Sequence, residues 1–276
     1  MYLLIPLEFC KKVNVQNKKL TEPIIDMIVV SFNNDKIIEI QIDQLRKHVK
    51  DPFYLTIADN STDKEYAGKI EKICTGKKVG YIKLPGQNYF KNSYSHGIAL
   101  NWMYKNYIKK RAPVYFGFLD HDIFPVADVK LIPFLEKQPY FGLKHFAISP
   151  KNENIWDKNT PGFWYLWAGF CFFKTAALQN KKIDFMPVTF QSICFDTGGS
   201  NWQSLYSKDN PQNYYFPSWQ RIKTGTGEIR QSDFVDLIDD KWVHTINGAY
   251  WYTADPKEKK IEELLNSFET GLQKRE

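Results

Sequence analysis

Apolar and polar positions change period repeatedly over the first 125 residues, and each change marks an element. After a polar stretch from Lys11 to Glu22, the run Ile24 to Ser31 (IIDMIVVS) is mostly apolar, as a strand buried on both faces of a parallel sheet must be. It ends in the polar turn Phe32-Asn33-Asn34. Ile38, Ile42, Leu45 and Val49 follow at spacings of four, three and four, one apolar face of a helix that Asp51-Pro52 breaks. Phe53 to Ala58 predicts a second strand, ended by Asp59-Asn60-Ser61-Thr62-Asp63. Lys64 to Cys74 predicts a short helix with Ala67, Ile70 and Ile73 inward, and Val79 to Leu84 a third strand before the loop Pro85-Gly86-Gln87-Asn88. A helix from about Ser93 to Tyr107 buries Ile98, Trp102 and Met103, and Val114 to Leu119 (VYFGFL) predicts a fourth strand ending at Asp120-His121-Asp122.

This β-α-β-α-β-α-β order implies an α/β fold with a parallel sheet and helices on its faces. In such sheets ligands sit beyond the C-terminal ends of the strands. The polar clusters at Asn33, Asp59 and Asp120 all fall there. Beyond Pro125 the segments are aromatic-rich and less periodic, notably Phe163 to Phe173 (FWYLWAGFCFF), with a loop-rich stretch to Arg230. From Pro256 onward Ile261, Leu264, Leu265, Phe268 and Leu272 share one face of a charged helix that packs against the body. The chain thus divides into an N-terminal extension (1–23), a βαβ half (24–125), a second half of the same domain (126–255) and a C-terminal amphipathic helix (256–276), without internal repeats.

A chain of 276 residues suffices for one large α/β domain or two smaller units sharing a core. Aromatic residues make up 16% of it; rings stack on sugars and bases, and they also simply fill cores, so both readings stay open. The net charge of +6 rests on scattered lysines, with short runs such as Lys109-Lys110-Arg111. It favours phosphate-rich substrates or peripheral contact with an anionic membrane, or merely aids solubility. No basic arm or stripe points to nucleic acid. Cys10, Cys74, Cys171 and Cys194 form no C-x-x-C pair, which excludes zinc-ribbon and thioredoxin-type sites and points to reduced, buried thiols. The apolar run Tyr2 to Leu7 is too short for a signal-peptide core. No stretch reaches the roughly 20 apolar residues of a spanning helix, so the chain reads as soluble and cytoplasmic.

Asp120-His121-Asp122 is the most informative site. In extended backbone, side chains alternate, so Asp120 and Asp122 point one way and His121 the other. Two carboxylates on one face, just past a buried strand, can hold a hard divalent cation. A cation bridging a nucleotide diphosphate offsets the charge that develops as the diphosphate leaves. The plain alternative is a turn with two solvated acids, because D-x-D is a common pattern.

With these features the chain resembles the GT-A glycosyltransferases, and more narrowly their family 2-like inverting members. The matching pieces are Ile28-Val29-Val30-Ser31-Phe32-Asn33-Asn34, Ala58-Asp59-Asn60-Ser61-Thr62-Asp63, and Ser95-His96-Gly97-Ile98-Ala99-Leu100-Asn101 before Phe118-Leu119-Asp120-His121-Asp122. Later, Trp167-Ala168-Gly169-Phe170-Cys171-Phe172-Phe173-Lys174 looks like the family's glycine-containing strand beside the acceptor site. Each piece is short, and their order along roughly residues 24 to 245 carries the specificity.

The resemblance implies a mixed, mainly parallel sheet flanked by helices, with 24–125 binding a nucleotide-sugar donor and 126–255 a saccharide or glycoconjugate acceptor. Ser31, Asn33, Asp59, Asn60, His96 and Asp120 would line the donor. Asn33 would edge the nucleoside, and Asp59 would accept from an imide or amide N–H of the base; its other role is capping the next helix with Asn60 and Ser61. The resemblance puts Asp120 near ribose and metal, and Asp122 on the metal, Mn2+ or Mg2+. His244, in Trp242-Val243-His244-Thr245, looks like the late histidine ligand of many such enzymes, although a lone histidine is more often structural.

An inverting transfer needs a base for the acceptor hydroxyl. Asp196, in Phe195-Asp196-Thr197-Gly198-Gly199, is the candidate, its glycines letting the backbone turn close to a ligand. The other reading is a glycine turn whose Asp caps a helix near Ser200. Many family members carry an adjacent acidic pair here, and this segment has one acid between Phe and Thr. Trp219-Gln220-Arg221 does not reproduce the Q-x-x-R-W motif of processive synthases. A sugar nucleotidyltransferase would carry a glycine- and basic-rich loop where this chain has Phe32-Asn33-Asn34-Asp35. A haloacid-type phosphatase would need D-x-D-x-T on the first strand. A non-catalytic carbohydrate-binding module explains the tryptophans but not the acids at successive strand ends.

Overall fold

The apolar run at 25–31 is buried along its whole length and forms the middle of a seven-stranded sheet. The structure, a computed structural model, describes residues 5–15, 22–86, 92–148, 163–224, 234–246 and 257–273. In chain order the elements of the first half are β1 (Lys12–Val13), β2 (Ile25–Ser31), α1 (Asp35–His48), β3 (Phe53–Asp59), α2 (Lys64–Gly76) and β4 (Gly80–Lys83). Then come α3 (Asn92–Met103), continued through a π-turn into α4 (Lys109–Arg111), β5 (Tyr115–Asp120) and β6 (Ile123–Pro125). The second half holds α5 (Ile132–Lys137), β7 (Tyr140–Phe146), β8 (Trp164–Lys174), β9 (Val188–Phe190), β10 (Ile193–Phe195), β11 (Trp219–Lys223), β12 (Phe234–Ile238), β13 (Trp242–His244) and α6 (Lys257–Gln273).

The main sheet has the order β1-β4-β3-β2-β5-β8-β7. The four strands β4, β3, β2 and β5 run parallel, β1 and β8 run against them, and β7, antiparallel to β8, runs with them again. The α/β class and helix-flanked sheet expected from the alternating pattern are therefore present. Side chains of β2 alternate between two cores: Ile25, Met27 and Val29 pack with α1 and α2, while Ile28 and Val30 pack with α3 and β8. Such two-sided burial is why these strands read as unbroken apolar runs. On the α3 face, Asp26 is fully buried, and Arg111 Nε donates to its Oδ2 at 2.6 Å.

Three features differ from the sequence reading. The N-terminal extension contributes β1, which pairs with β4 at the sheet edge through Lys12↔Ile82 and Val13↔Tyr81; two residues are too few to leave a periodic trace. The helix expected to end at Tyr107 runs on to Arg111, where Ala112 at φ 46° closes it. Of the four thiols, all free, Cys74 and Cys171 are buried but Cys194 is exposed and Cys10 half-buried. The loop expected after β4 lies largely outside the described residues.

A second, four-stranded antiparallel sheet, β11-β12-β13-β6, joins the two halves of the chain, because β6 comes directly after the Asp120–Asp122 turn. The helix α6 covers it, burying Ile261 and Leu265 against Ile37, Phe124, Val126, Val235, Leu237 and Val243. Leu264 and Phe268 pack at the margin as the apolar stripe requires, and the side chain of Leu272 is outside the described residues.

Candidate active site

From β2 the chain proceeds to β3 and β4 on one side and then returns to β5 on the other. The topological switch point therefore lies between β2 and β5, where α/β sheets open a crevice at their C-terminal ends. Val30 of β2 is in register with Asp120 of β5, so the polar residues after β2 and β5 come side by side at that end of the sheet.

The backbone at 120–123 is held from three directions. Gln41, fully buried on α1, donates through Nε2 to the carbonyls of Asp120 (2.7 Å) and Ile123 (2.8 Å). Thr245 donates to the Asp122 carbonyl through its amide (3.0 Å) and its hydroxyl (3.3 Å). His121 Nδ1 lies 3.3 Å from the Val30 carbonyl. Residues 121–122 form a turn between two sheets rather than continuing β5, so strand alternation is not what orients the acids. The turn itself sends His121 toward β2, and the Asp120 and Asp122 side chains keep 22% and 8% of their surface exposed.

Each acid faces a histidine. Asp120 Oδ1 is 3.2 Å from His96 Nε2, and Asp122 Oδ1 is 3.6 Å from His244 Nε2. Burial pushes the Asp120 carboxyl above its ordinary range; His96 opposes the shift and Asp122 adds to it. For His244 burial alone would lower the pKa, but the carboxylates of Asp122, Asp236 and Asp120 outweigh it and hold the imidazole above its ordinary value. Above the acids runs β8. A Cβ on Gly169 would stand 2.7 Å from Asp120 Oδ2 and 2.3 Å from Trp167 Cζ2, so only glycine lets this strand pass so close. The Trp167 ring lies between 5 and 6 Å from two imidazoles, 5.4 Å from His145 and 5.2 Å from His244.

The residues after β2 and β3 form a tight polar web. Asp59 is fully buried; its Oδ1 accepts from the Ser61 amide (2.9 Å) and the Ser31 hydroxyl (3.4 Å), and its Oδ2 accepts from Tyr81 (2.9 Å), with Lys83 Nζ at 3.3 Å. Asn33, in the left-handed region at φ 46°, accepts from the amides of Thr62 and Asp63 and donates to the Thr62 hydroxyl. Asn60 donates to Ser95 on α3 at 3.0 Å. The cap of α2 is Asp63, accepting from the Glu65 amide at 2.7 Å, so helix capping is not the role of Asp59.

Asp196 lies on the turn after β10 and is exposed. Its amide donates to the Tyr165 hydroxyl at 3.1 Å, and Thr197 donates to its Oδ1 at 3.3 Å. The short 3-10 turn at Gly199–Asn201 has no side-chain cap, so Asp196 does not cap it. Two residues on, at Gly198, φ +94°, a Cβ would meet the Leu166 carbonyl at 2.7 Å, so this turn passes close to β8.

No protein-family model matches this chain, and no curated protein matches it. Three of the solved structures that show some likeness are each longer than this chain. WbbM, a bifunctional glycosyltransferase in its apo form, is 12% identical with a TM-score of 0.37, covering 59% of this chain and 34% of that one. The mannosyltransferase PcManGT from Pyrobaculum calidifontis, solved with GDP-Man and Mn2+, is 11% identical with a TM-score of 0.38, covering 64% of this chain and 50% of that one. S. aureus TarS 1–349 is 17% identical with a TM-score of 0.36, covering 58% and 50%. The chain thus spans a third to a half of these structures. Likenesses this distant carry no argument about the chemistry, which rests on the residues of this chain.

Those residues suit a cation in kind: two hard carboxylates and an imidazole are ligands for Mn2+ or Mg2+. The Asp120 carboxyl, raised first by burial and further by Asp122, is a group whose charged form a cation would favour. Among the described residues no three His, Cys, Asp or Glu side chains are gathered as a ready coordination set, so the fit is one of donor type and adjacency. Sequence reasoning passed over Gln41, Thr245, Asp236 and His145. Gln41 alone had a visible signal, as a polar residue on the Ile38–Ile42–Leu45 face of α1.

Proposed function

We propose that this chain is a glycosyltransferase that moves a sugar from a nucleotide-sugar donor to a hydroxyl of a saccharide or glycoconjugate acceptor, with inversion and with a divalent cation. The observation carrying this reading is the pair Asp120 and Asp122, held by its backbone at the switch point between β2 and β5. Its position supports a diphosphate in the crevice and a nucleoside over Ser31, Asn33 and Asn60, with the buried Asp59 web as their floor. Asp122, with Asp120 and His244, would hold Mn2+ or Mg2+, which when bound supplies the charge that offsets the leaving diphosphate.

The other roles belong to the chain itself. His96 sets the rotamer of Asp120 through their 3.2 Å contact. Trp167 and its neighbours on β8, within the aromatic segment Phe163 to Phe173, would wall the acceptor side, where the attacking hydroxyl would lie. The Asp196 carboxylate, exposed and anchored through its amide to Tyr165, takes the hydroxyl proton as the oxygen attacks the anomeric carbon.

The test is a thermal-shift screen of UDP-, GDP-, CMP- and dTDP-sugars with and without Mn2+, since a specific ligand raises the melting point by mass action, about 2.7 kcal/mol at a hundred times its Kd. At least one donor should stabilise the wild type only with Mn2+, and Asp122→Ala should lose that response with its own melting point kept. Asp196→Asn should keep the response and lose turnover. A screen in which no nucleotide sugar shifts the wild type removes the transferase reading.

A further inference from the structure

Arg221, Asp236 and His244 stand in one row across the second sheet. Arg221 is the Cα partner of Asp236 in the β11–β12 ladder, and Asp236 is the partner of His244 in the β12–β13 ladder. Directly opposed residues share a face, so the three side chains line up. Arg221 donates from Nε (2.8 Å) and Nη2 (3.1 Å) to the two oxygens of Asp236. Asp236 Oδ2 lies 3.8 Å from His244 Nδ1, an ion-pair separation. On the other side of the same ring, Nε2 faces Asp122 Oδ1 at 3.6 Å. Arg221 at the outer end is 39% exposed, whereas His244 and Asp236 are 13% and 10% exposed.

We propose that Asp236 is a positioning residue: clamped by Arg221, it holds His244 through Nδ1 and so presents Nε2, the nitrogen facing Asp122, to a cation at the donor crevice. The inference rests on the reading of Asp122 and His244 as cation ligands. An imidazole can bind a cation through only one nitrogen at a time, and whichever hydrogen-bonds a carboxylate is the one withheld. Without Asp236 the ring is free to turn over or to take the other tautomer, and Nε2 no longer faces Asp122 in part of the population. Arg221 supplies the geometry for this, since a bidentate guanidinium fixes the plane of the carboxylate it grips.

The experiment follows Mn2+ binding by water-proton relaxation enhancement, with Mn2+ alone and with Mn2+ plus UDP or GDP, in wild type, Asp236→Asn and Asp236→Glu. Melting temperatures are measured beside each. Asp236→Asn should bind Mn2+ about 10–100-fold more weakly at an unchanged melting temperature. Asp236→Glu, which restores a carboxylate on the same face, should bind more tightly than Asp236→Asn. Wild-type binding with an unaffected Asp236→Asn overturns the positioning role and leaves the cation site standing. Equal weakening of both variants together with lowered melting temperatures makes Asp236 structural and also overturns it. A wild type that binds no Mn2+ in either condition overturns the cation reading itself, and this inference with it.

Discussion

His145 on β7 lies face to face with Trp167, ring centroids 5.4 Å apart and planes within 5°. Burial pushes its pKa down to about 4 from 6.5, with Asp196 opposing the shift. A depressed native pKa means that the unfolded chain takes up the proton first. The neutral ring's contribution is therefore full above pH 6.5 and is lost as pH falls toward 4. A shift of this size is worth about 3 kcal/mol. His145→Phe keeps a flat ring against Trp167 and cannot titrate, so its urea stability should fall less than that of the wild type across that window. Parallel stability curves for the two proteins would mean that His145 is already solvated in the fold. Residues of this kind were not legible in the sequence. Asp120, Asp122 and Asp59 could be seen because each ends an apolar run, which is a one-dimensional signal. His145 and Asp236 acquire meaning only from cross-strand neighbours, Trp167 and His244, that stand many residues away in the chain.

At the level of elements, the long ones were readable. Strands β2, β3, β4 and β5 appear in the sequence to within a residue or two of their ends, because burial on both faces forces runs of apolar residues. Strands β1, β6 and β13 have two or three residues each, and nothing in so short a span distinguishes strand from loop. Two of these three deliver the site, since β6 begins at the residue after Asp122 and β13 ends in His244. The element that ties them to the main sheet is α1, through Gln41. Replacing Gln41 by Leu keeps the volume and helix propensity but removes the donors to the Asp120 and Ile123 carbonyls. Leaving buried acceptors unpaired costs about 1–3 kcal/mol. The expected result is that loss in urea unfolding, together with a weaker Mn2+-dependent donor response, because the turn carrying both acids is no longer pinned. Full donor binding in Gln41→Leu would show that Thr245 alone suffices to hold the turn.

Across the whole molecule, the two acids and the imidazole of the proposed cation site belong to different sheets. Asp120 ends a strand of the main sheet, and His244 ends a strand of the second; the distance between them depends on how the sheets are held together. Part of that hold is α6, whose Leu265 is 1% exposed in a cluster with Phe124 of β6 and Val243 of β13. Those two residues lie two positions after Asp122 and one before His244, so a loss of packing under α6 acts directly on the strands that present the ligands. Leu265→Ala should cost about 2–5 kcal/mol, the lost transfer free energy plus the cavity it leaves. Asn266→Ala, an exposed change one residue along the same helix, should stay within about 0.5 kcal/mol of wild type. If the second sheet is a mechanical part of the site, Leu265→Ala will also weaken Mn2+-dependent donor binding at a temperature where it remains folded, and Asn266→Ala will not. Unchanged donor affinity in a destabilised but folded Leu265→Ala would instead mean that the backbone clamps of Gln41 and Thr245 fix the ligand geometry by themselves, with α6 contributing only to global stability.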